Sequence, residues 1–403
     1  MKLPLVLEPL RHRDFRLLWV GQGVSTFGNF VHSVALPFQF FALGATAVQL
    51  GTGFALLTAV QLVLLLFGGA IVDRVPRRRV ILVSDLLSGI VVTAVGLLSV
   101  SGALRIELLY VELAFFGAAA AFFMPAIGAI VPELVPGEIL TQGNALRGFS
   151  RQFARVAGPA IGGFLVVTAG PGWAFLFDGL TFFVSFAALL ATHPPVTEPK
   201  ERKHIVREIR DGLAFTFSVP WLWITIAIYA LYNTAFSGPI SVGMPIFIRD
   251  VLRADARLFG LSIAAVGVGE FVGGLFVAQA RMKRIGIAMY AYSILGGVAI
   301  TAIGLWPAVP TLFAFAAVTG FCLAGFGTLW ETAVQRNVPR ELLGRVGSVD
   351  WFGSFLLGPI APVVAGVVIQ EAGTMPLFVG AGIMATALGC LGLLVPSIRS
   401  LRA

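Results

Sequence analysis

The chain has 403 residues, of which 58% are hydrophobic and only 12% charged, with a formal net charge of +8. A soluble domain of this length has to cover its surface with polar groups, and roughly 25% charged residues is usual. The composition therefore excludes an ordinary water-soluble enzyme and points to lipid as the solvent. At ~1.5 Å rise per residue, ~20 apolar residues cross ~30 Å of hydrocarbon, so the length accommodates about a dozen crossings with short loops.

In chain order, Met1 to Arg16 is charged and lacks a cleavable apolar segment, so the first apolar run is expected to be a retained span. Apolar runs between charges then predict spans at 17–44, 47–72, 80–101, 107–131, 148–169, 173–192, 220–247, 258–280, 285–306, 311–334, 347–369 and 375–396. The fold class expected is an all-α integral membrane protein of twelve transmembrane helices in two pseudo-symmetric six-helix bundles, 1–192 and 220–403. Between them, 193–219 reads as a polar linker with Pro194, Pro195 and Pro199. It ends in an amphipathic helix marked by Ile205, Ile209, Leu213 and Phe217, expected at the membrane surface. Cys322 and Cys390 lie inside apolar runs at no disulfide or metal spacing and read as packing residues.

An even number of spans puts both termini on one face. With that assignment every Lys and Arg except Arg105, Arg249, Arg253 and Arg257 falls on the face of the termini, which is therefore expected to be cytoplasmic. Topology thus accounts for the basic balance, and nucleic acid is not expected as a partner.

The halves repeat. Val135-Pro136-Gly137-Glu138-Ile139-Leu140 shifts by 203 onto Val338-Pro339-Arg340-Glu341-Leu342-Leu343, and the same shift lays Gly158-Pro159-Ala160-Ile161-Gly162-Gly163 on Ala361-Pro362-Val363-Val364-Ala365-Gly366. Gly68-Gly69 falls on Gly273-Gly274 at 205. Duplicated halves suit transporters that bind cargo near the bilayer midplane and expose it alternately to the two sides. Direct pore formation needs rings of coordinating groups, and none is visible.

After the second span comes Gly69-Ala70-Ile71-Val72-Asp73-Arg74-Val75-Pro76-Arg77-Arg78-Arg79. A glycine, three residues, Asp-Arg and a basic cluster resemble the hallmark loop of the major facilitator superfamily. The resemblance implies that Gly69, Asp73, Arg74 and Arg78 belong to a cytoplasmic gate, a latch built from contacts worth ~0.3–2 kcal/mol each. In the second half Ala278 takes the place of Asp73, so the latch is one-sided. Gly158, Pro159, Gly162 and Gly163 are similar to the core of an element typical of the superfamily's exporters. Glycines there let backbones approach closely and the proline bends the span. Ala145 and Ala154 depart from the longer pattern of that element. Trp330 to Gln335 with Val338 to Val346, and Arg13 to Trp19 before the first span, are similar to the branch of enterobactin-exporter-like and macrolide-efflux proteins, the transmembrane secretion effectors.

Ionisable groups inside spans cost several kcal/mol and mark cargo or proton paths. Four are candidates. Glu270, in the eighth span beside Gly267, Gly273 and Gly274, reads either as a proton or cation carrier or as a structural carboxyl. Glu112 and Asp178 lie about five residues inside the external ends of the fourth and sixth spans, as cargo or proton groups or as interfacial carboxylates. His32 stands one turn from Asn29, where several relatives of the resembled family carry an aspartate, and reads as its substitute or as a histidine bonded between helices. Asp85, Glu331, Asp350 and Arg345 lie near cytoplasmic helix ends and are candidates for gate salt bridges. The many Phe residues, among them Phe38, Phe40, Phe41, Phe115, Phe116, Phe122 and Phe123, could line an apolar cavity for amphipathic or cationic cargo.

The expectation is a secondary active transporter in a bacterial cytoplasmic membrane, expelling small drug-like or siderophore-like compounds in exchange for protons by alternating access. The partners expected are cargo, protons and the bilayer, with the protein a monomer. Two alternatives stay open: proton-coupled uptake, and a membrane-bound sensor or scaffold. No metal, cofactor or catalytic residue is expected, and no phosphate-binding glycine loop is present to admit ATP. The proton motive force would be the energy source.

Overall fold

The computed structural model describes residues 5–72, 75–193, 205–280 and 282–402; side chains at 66–72 and 205–209 lie outside the description. The described residues are helical throughout, without strands. The chain runs through α1 (Arg13–Ala42), α2 (Ala47–Val72), α3 (Arg77–Val100), α4 (Ile106–Leu134), α5 (Leu140–Ala169) and α6 (Pro171–Leu190) to the linker helix α7 (Ile205–Ser218). The second half begins with α8 (Pro220–Gly238), carried on through wider π-type turns at Pro239–Gly243 and Phe247–Val251 that flank α9 (Met244–Ile246). It continues with α10 (Ala256–Gln279), α11 (Ile285–Leu305), α12 (Val309–Asn337), α13 (Leu343–Phe355), α14 (Ile360–Ala372), α15 (Thr374–Leu394) and the short α16 (Pro396–Arg399).

Among the described residues ten helices are long and apolar enough to cross a membrane, or eleven if α7 and the α8 rod, bent by 102° at their junction, count as one span. The helix expected at 17–44 is present as α1, 30 residues long, but it is less apolar. It carries Gln22, Asn29, His32 and Gln39, and a helix hides such groups from lipid only by packing them inward. Large apolar side chains such as Phe149, Phe153, Leu180, Phe271, Leu275 and Leu394 stand exposed, as a lipid-facing surface requires.

The boundaries repeat with the sequence. α4 and α12 begin at 106 and 309 and end at 134 and 337; α5 and the α13–α14 pair run over 140–169 and 343–372, each after a single 3-10 turn. Gly170 and Gly373 close these helices with φ of +92° and +89° and ψ of 161° and 175°, a backbone region open essentially to glycine alone. The mate of continuous α5 is interrupted by a turn at 356–359 before α14. The fifth span, expected at 148–169, belongs to a longer helix, α5, that begins at Leu140 and takes in Arg147, Arg151 and Arg155, which count among the basic residues of the face of the termini. They recur every four residues and form one stripe of α5, leaving Phe149 and Phe153 to lipid.

The chain forms two compact units. The first holds α1, α3 to α6, most of α2, and Ala254–Ala264, where α10 begins; the second holds Thr46–Ala55, where α2 begins, and the remainder of the second half. In the first unit α1 packs on α5 and α6, and α3 on α4 and α6. In the second, α11 packs on α12 and α15, and α8 on α13, α14 and α15. An apolar core closes one end of each unit: Phe15, Leu18, Ile81, Ile130, Val131 and Leu189 in the first, Leu222, Met289, Tyr290, Ala333, Val346 and Ile398 in the second.

Candidate functional site

α1, α4 and α6 bring three of the candidate residues together. His32 of α1 places Nε2 3.1 Å from Glu112 Oε1 of α4 and Nδ1 3.3 Å from Asp178 Oδ2 of α6. His32 is 5% exposed and both acids are fully buried. Two aromatic rings stand edge-on to the imidazole, Phe116 at 5.1 Å and Phe175 at 4.7 Å between centroids, and close it from water. The helices come close enough because Gly28 of α1 faces Asp178 and Thr181 of α6: a Cβ there would overlap Asp178 Oδ1 and Thr181 Oγ1. The Thr181 hydroxyl donates to the Asp178 backbone carbonyl at 2.7 Å and lies 3.2 Å from its carboxylate Oδ1.

The acid–imidazole pairs sit at ion-pair distance without well-directed hydrogen bonds. His32 Nε2, both Glu112 oxygens, Asp178 Oδ2 and, one turn away, Asn29 Oδ1 are buried polar atoms without a hydrogen-bond partner. An imidazole flanked on its two nitrogens by two different carboxyls can accept a proton on one side and release it on the other. Counting the neutral imidazole and two carboxylates as the proton-free form, the three groups are neutral together when they hold two further protons and carry one negative charge when they hold one. The acids stand on opposite sides of the ring, so they do not converge on one ion; among the described residues no His, Cys, Asp or Glu group is arranged to hold a metal.

A second buried carboxyl sits nearer the end of the first unit where α3 begins. Asp85 of α3, 1% exposed, accepts from Ser185 Oγ at 2.7 Å and from Gln22 Nε2 at 3.2 Å. Asp85 was expected as a candidate for a gate salt bridge; its hydrogen-bond partners here, Gln22 of α1 and Ser185 of α6, are neutral. Asp350 accepts from two neutral donors, Trp330 Nε1 at 2.7 Å and Ser354 Oγ at 3.0 Å. Glu331 is exposed on α12. Arg345 does form an ion pair, with Asp211 of α7 at 2.9 Å, joining the linker helix to α13.

Glu270 lies elsewhere, half-buried in α10 of the second unit. Its helix packs through glycines as expected: a Cβ on Gly273 would lie 2.9 Å from Phe321 Cα, and one on Gly320 of α12 would lie 2.7 Å from the Glu270 backbone nitrogen. Of the gate residues, Asp73 and Arg74 lie outside the described residues, and Gly69 stands near the end of α2. Arg78 donates to the carbonyls of Leu189 and Leu190 at 3.2 and 2.7 Å and to Thr192 Oγ1 at 3.3 Å, capping α6. Arg77 pairs with Glu133 of α4.

The glycine-proline element of α5 meets two partners. A Cβ on Gly162 would lie 3.0 Å from Val31 Cα, and one on Gly163 would lie 3.0 Å from Arg257 Cα at the start of α10. In return, a Cβ on Gly260 would overlap the carbonyl of Pro159. The repeat reproduces this within the second unit, where Gly51 of α2 stands against the Pro362 carbonyl and Gly366 against Ala47 and Val48. The start of the second long helix of each half, α2 or α10, is thus held by small residues of the fifth helix of the other half.

The family model for transmembrane secretion effectors matches residues 5–400. The chain belongs to this family, within the major facilitator superfamily. The multidrug efflux pump Tap of Mycolicibacterium fortuitum is 27% identical to this chain over 387 residues, covering 93% of each chain. The enterobactin exporter EntS of Escherichia coli is 26% identical over 380 residues, covering 91% of this chain and 90% of EntS. Solved structures support the fold: a bacterial homologue of the iron transporter ferroportin in an inward-facing state has a TM-score of 0.72 at 16% identity over 94% of this chain and 98% of its own. A POT family transporter bound to a thioalcohol-conjugated peptide has a TM-score of 0.74 at 13% identity over 95% and 96%. The chain is therefore a multi-pass membrane transporter.

Proposed function

We propose that the protein exports a small organic compound, drug-like or siderophore-like, across a bacterial cytoplasmic membrane in exchange for protons, with both termini in the cytoplasm. The observation that carries the proton part is the buried His32–Glu112–Asp178 cluster. Two carboxyls and an imidazole are costly in a membrane bundle, and a proton-binding station gives them a use. The export part is supported by relatives named as an efflux pump and an exporter, and by the glycine-proline element in α5. Inward proton movement supplies ~2.3 kcal/mol per charge per 100 mV, which is enough to concentrate cargo severalfold on the far side.

Purified protein in liposomes, tested with ethidium and with enterobactin, is expected to move at least one of them when a proton gradient is imposed. Movement that takes place but ignores the gradient would remove proton coupling and leave a facilitator. Absence of movement for every compound in a wider panel would remove the transport reading of this chain.

A further inference from the structure

The buried polar groups of the first unit do not end at His32. On α1, Gln22, Ser25 and His32 share one stripe at helical spacing; on α6, Asp178, Thr181 and Ser185 share the stripe that faces it. α3 adds Asp85 and Ser88. Of these, Ser25, Asp85, Ser88, Thr181 and Ser185 are each at most 3% exposed. Gly21 and Gly28 let α1 and α6 approach along this seam: a Cβ on Gly21 would lie 3.1 Å from Ser185 Cα, and one on Gly28 would lie 3.0 Å from Thr181 Cβ. At one end stands the His32 cluster. At the other, about 15 Å along α1 at ~1.5 Å per residue, Gln22 donates to Ser185 Oγ at 2.7 Å and to Asp85 at 3.2 Å, and Ser185 donates to Asp85 at 2.7 Å.

Helix adhesion alone does not call for an acid there. Interhelical hydrogen bonds between neutral side chains contribute ~0.6 kcal/mol on average in a membrane, whereas a buried carboxyl without a cation is a cost. The groups facing Asp85 are Gln22 from α1 and Ser185 from α6, with Ser88 one turn along its own helix. The nearby cations are engaged elsewhere, Arg78 by the end of α6 and Arg77 by Glu133. The groups facing His32 are Glu112 from α4 and Asp178 from α6, with Phe116 and Phe175 around the ring.

We propose that Asp85, held by Gln22 and Ser185, is a second proton-carrying station, and that the proton path runs inside the first unit, between α1, α3 and α6, from the His32 cluster to the end that bears Arg78. The proposal rests on the proton-driven reading above. In the inward direction Asp178 gives up its carboxyl proton, and the hydroxyls of Thr181 and Ser25, or a water between them, pass one proton to Ser185. Ser185 accepts it and releases its own hydroxyl proton to the Asp85 carboxylate, from which it leaves to the cytoplasm. Each O–H bond broken is matched by one formed, the hydroxyls return by rotation, and the net change is one proton moved.

The test uses full-length protein in liposomes and measures two things for a cargo that wild type moves: accumulation driven by a proton gradient, and cargo exchange with no gradient. Asp85→Asn keeps the shape and the bonds to Gln22 and Ser185. It is expected to abolish driven accumulation and leave exchange intact; Asp85→Glu is expected to restore driving with a shifted pH profile. Ser185→Ala, which spares both acids, is expected to slow driven transport while exchange is unchanged. Driven accumulation with a wild-type pH profile in Asp85→Asn, or equal loss of exchange and driving in every folded variant, would overturn the path while leaving coupling at His32 in place. A wild type indifferent to the gradient would overturn both readings.

Discussion

Replacing Gly28 by alanine bears on how the helices bring His32 and Asp178 together. The added methyl would overlap Thr181 Oγ1 and Asp178 Oδ1 and lie 3.0 Å from Thr181 Cβ. Carbon atoms in contact prefer ~3.5–4.0 Å, so α1 and α6 would have to part by roughly 1 Å. The 3.3 Å contact between His32 Nδ1 and Asp178 Oδ2 would open beyond ion-pair distance. Alanine gains ~1 kcal/mol of helix propensity over glycine, while overpacking a tight contact costs about 1–3 kcal/mol, so net stability falls by up to ~2 kcal/mol. Gly23→Ala makes the same chemical change on the same helix with its nearest neighbour, Ser150 Cβ, at an ordinary 3.9 Å. Thermal unfolding in detergent and gradient-driven flux in liposomes are expected to fall for Gly28→Ala and to hold for Gly23→Ala. Equal stability and flux in the two variants would refute the claim that Gly28 sets the geometry of the cluster.

Further outcomes follow from other contacts. Gly260→Val, whose side chain would collide with the Pro159 carbonyl, is expected to stop transport while insertion, read by protease protection, stays intact; Gly51→Val is expected to behave alike against Pro362. Gly170→Ala forces a side chain into a backbone conformation at φ +92° and is expected to cost about 1–3 kcal/mol in unfolding experiments, with Gly373→Ala the repeat counterpart. His32→Ala leaves two buried acids facing a void, and folded protein is expected to lose gradient-driven transport; retained driving would show that the imidazole is dispensable. Arg345→Gln removes a partly exposed ion pair and is expected to change stability by no more than ~1 kcal/mol.

The spans and the duplication were legible because lipid imposes a simple rule on composition, and a repeat copies helix boundaries with the residues. α4 and α12 show this, displaced by the same 203 positions as the sequence segments beside them. α1 was the exception in composition, since the same polar residues that build the site make it less apolar. The start of α5 at Leu140 was not legible, because a search for apolar runs between charges stops at Arg147, whereas the helix carries Arg147, Arg151 and Arg155 at four-residue spacing. The meeting of His32, Glu112 and Asp178 was not legible: each was a separate candidate, and no spacing reports which faces of α1, α4 and α6 pack together. A signal did exist in the matched polar stripes, Gln22, Ser25 and His32 on one helix and Asp178, Thr181 and Ser185 on another, joined by the small Gly28. Glu270 stood out in sequence as a lone acid among glycines, yet the buried cluster formed in the other unit.

The most direct measurement is cargo accumulation by wild type and Glu112→Gln in the same liposomes, across imposed proton gradients of either direction and with none. Wild type is expected to follow the sign and size of the gradient, whereas Glu112→Gln is expected to exchange cargo at every setting and accumulate it at none. Gradient-driven accumulation by Glu112→Gln equal to that of wild type would contradict proton coupling at this cluster.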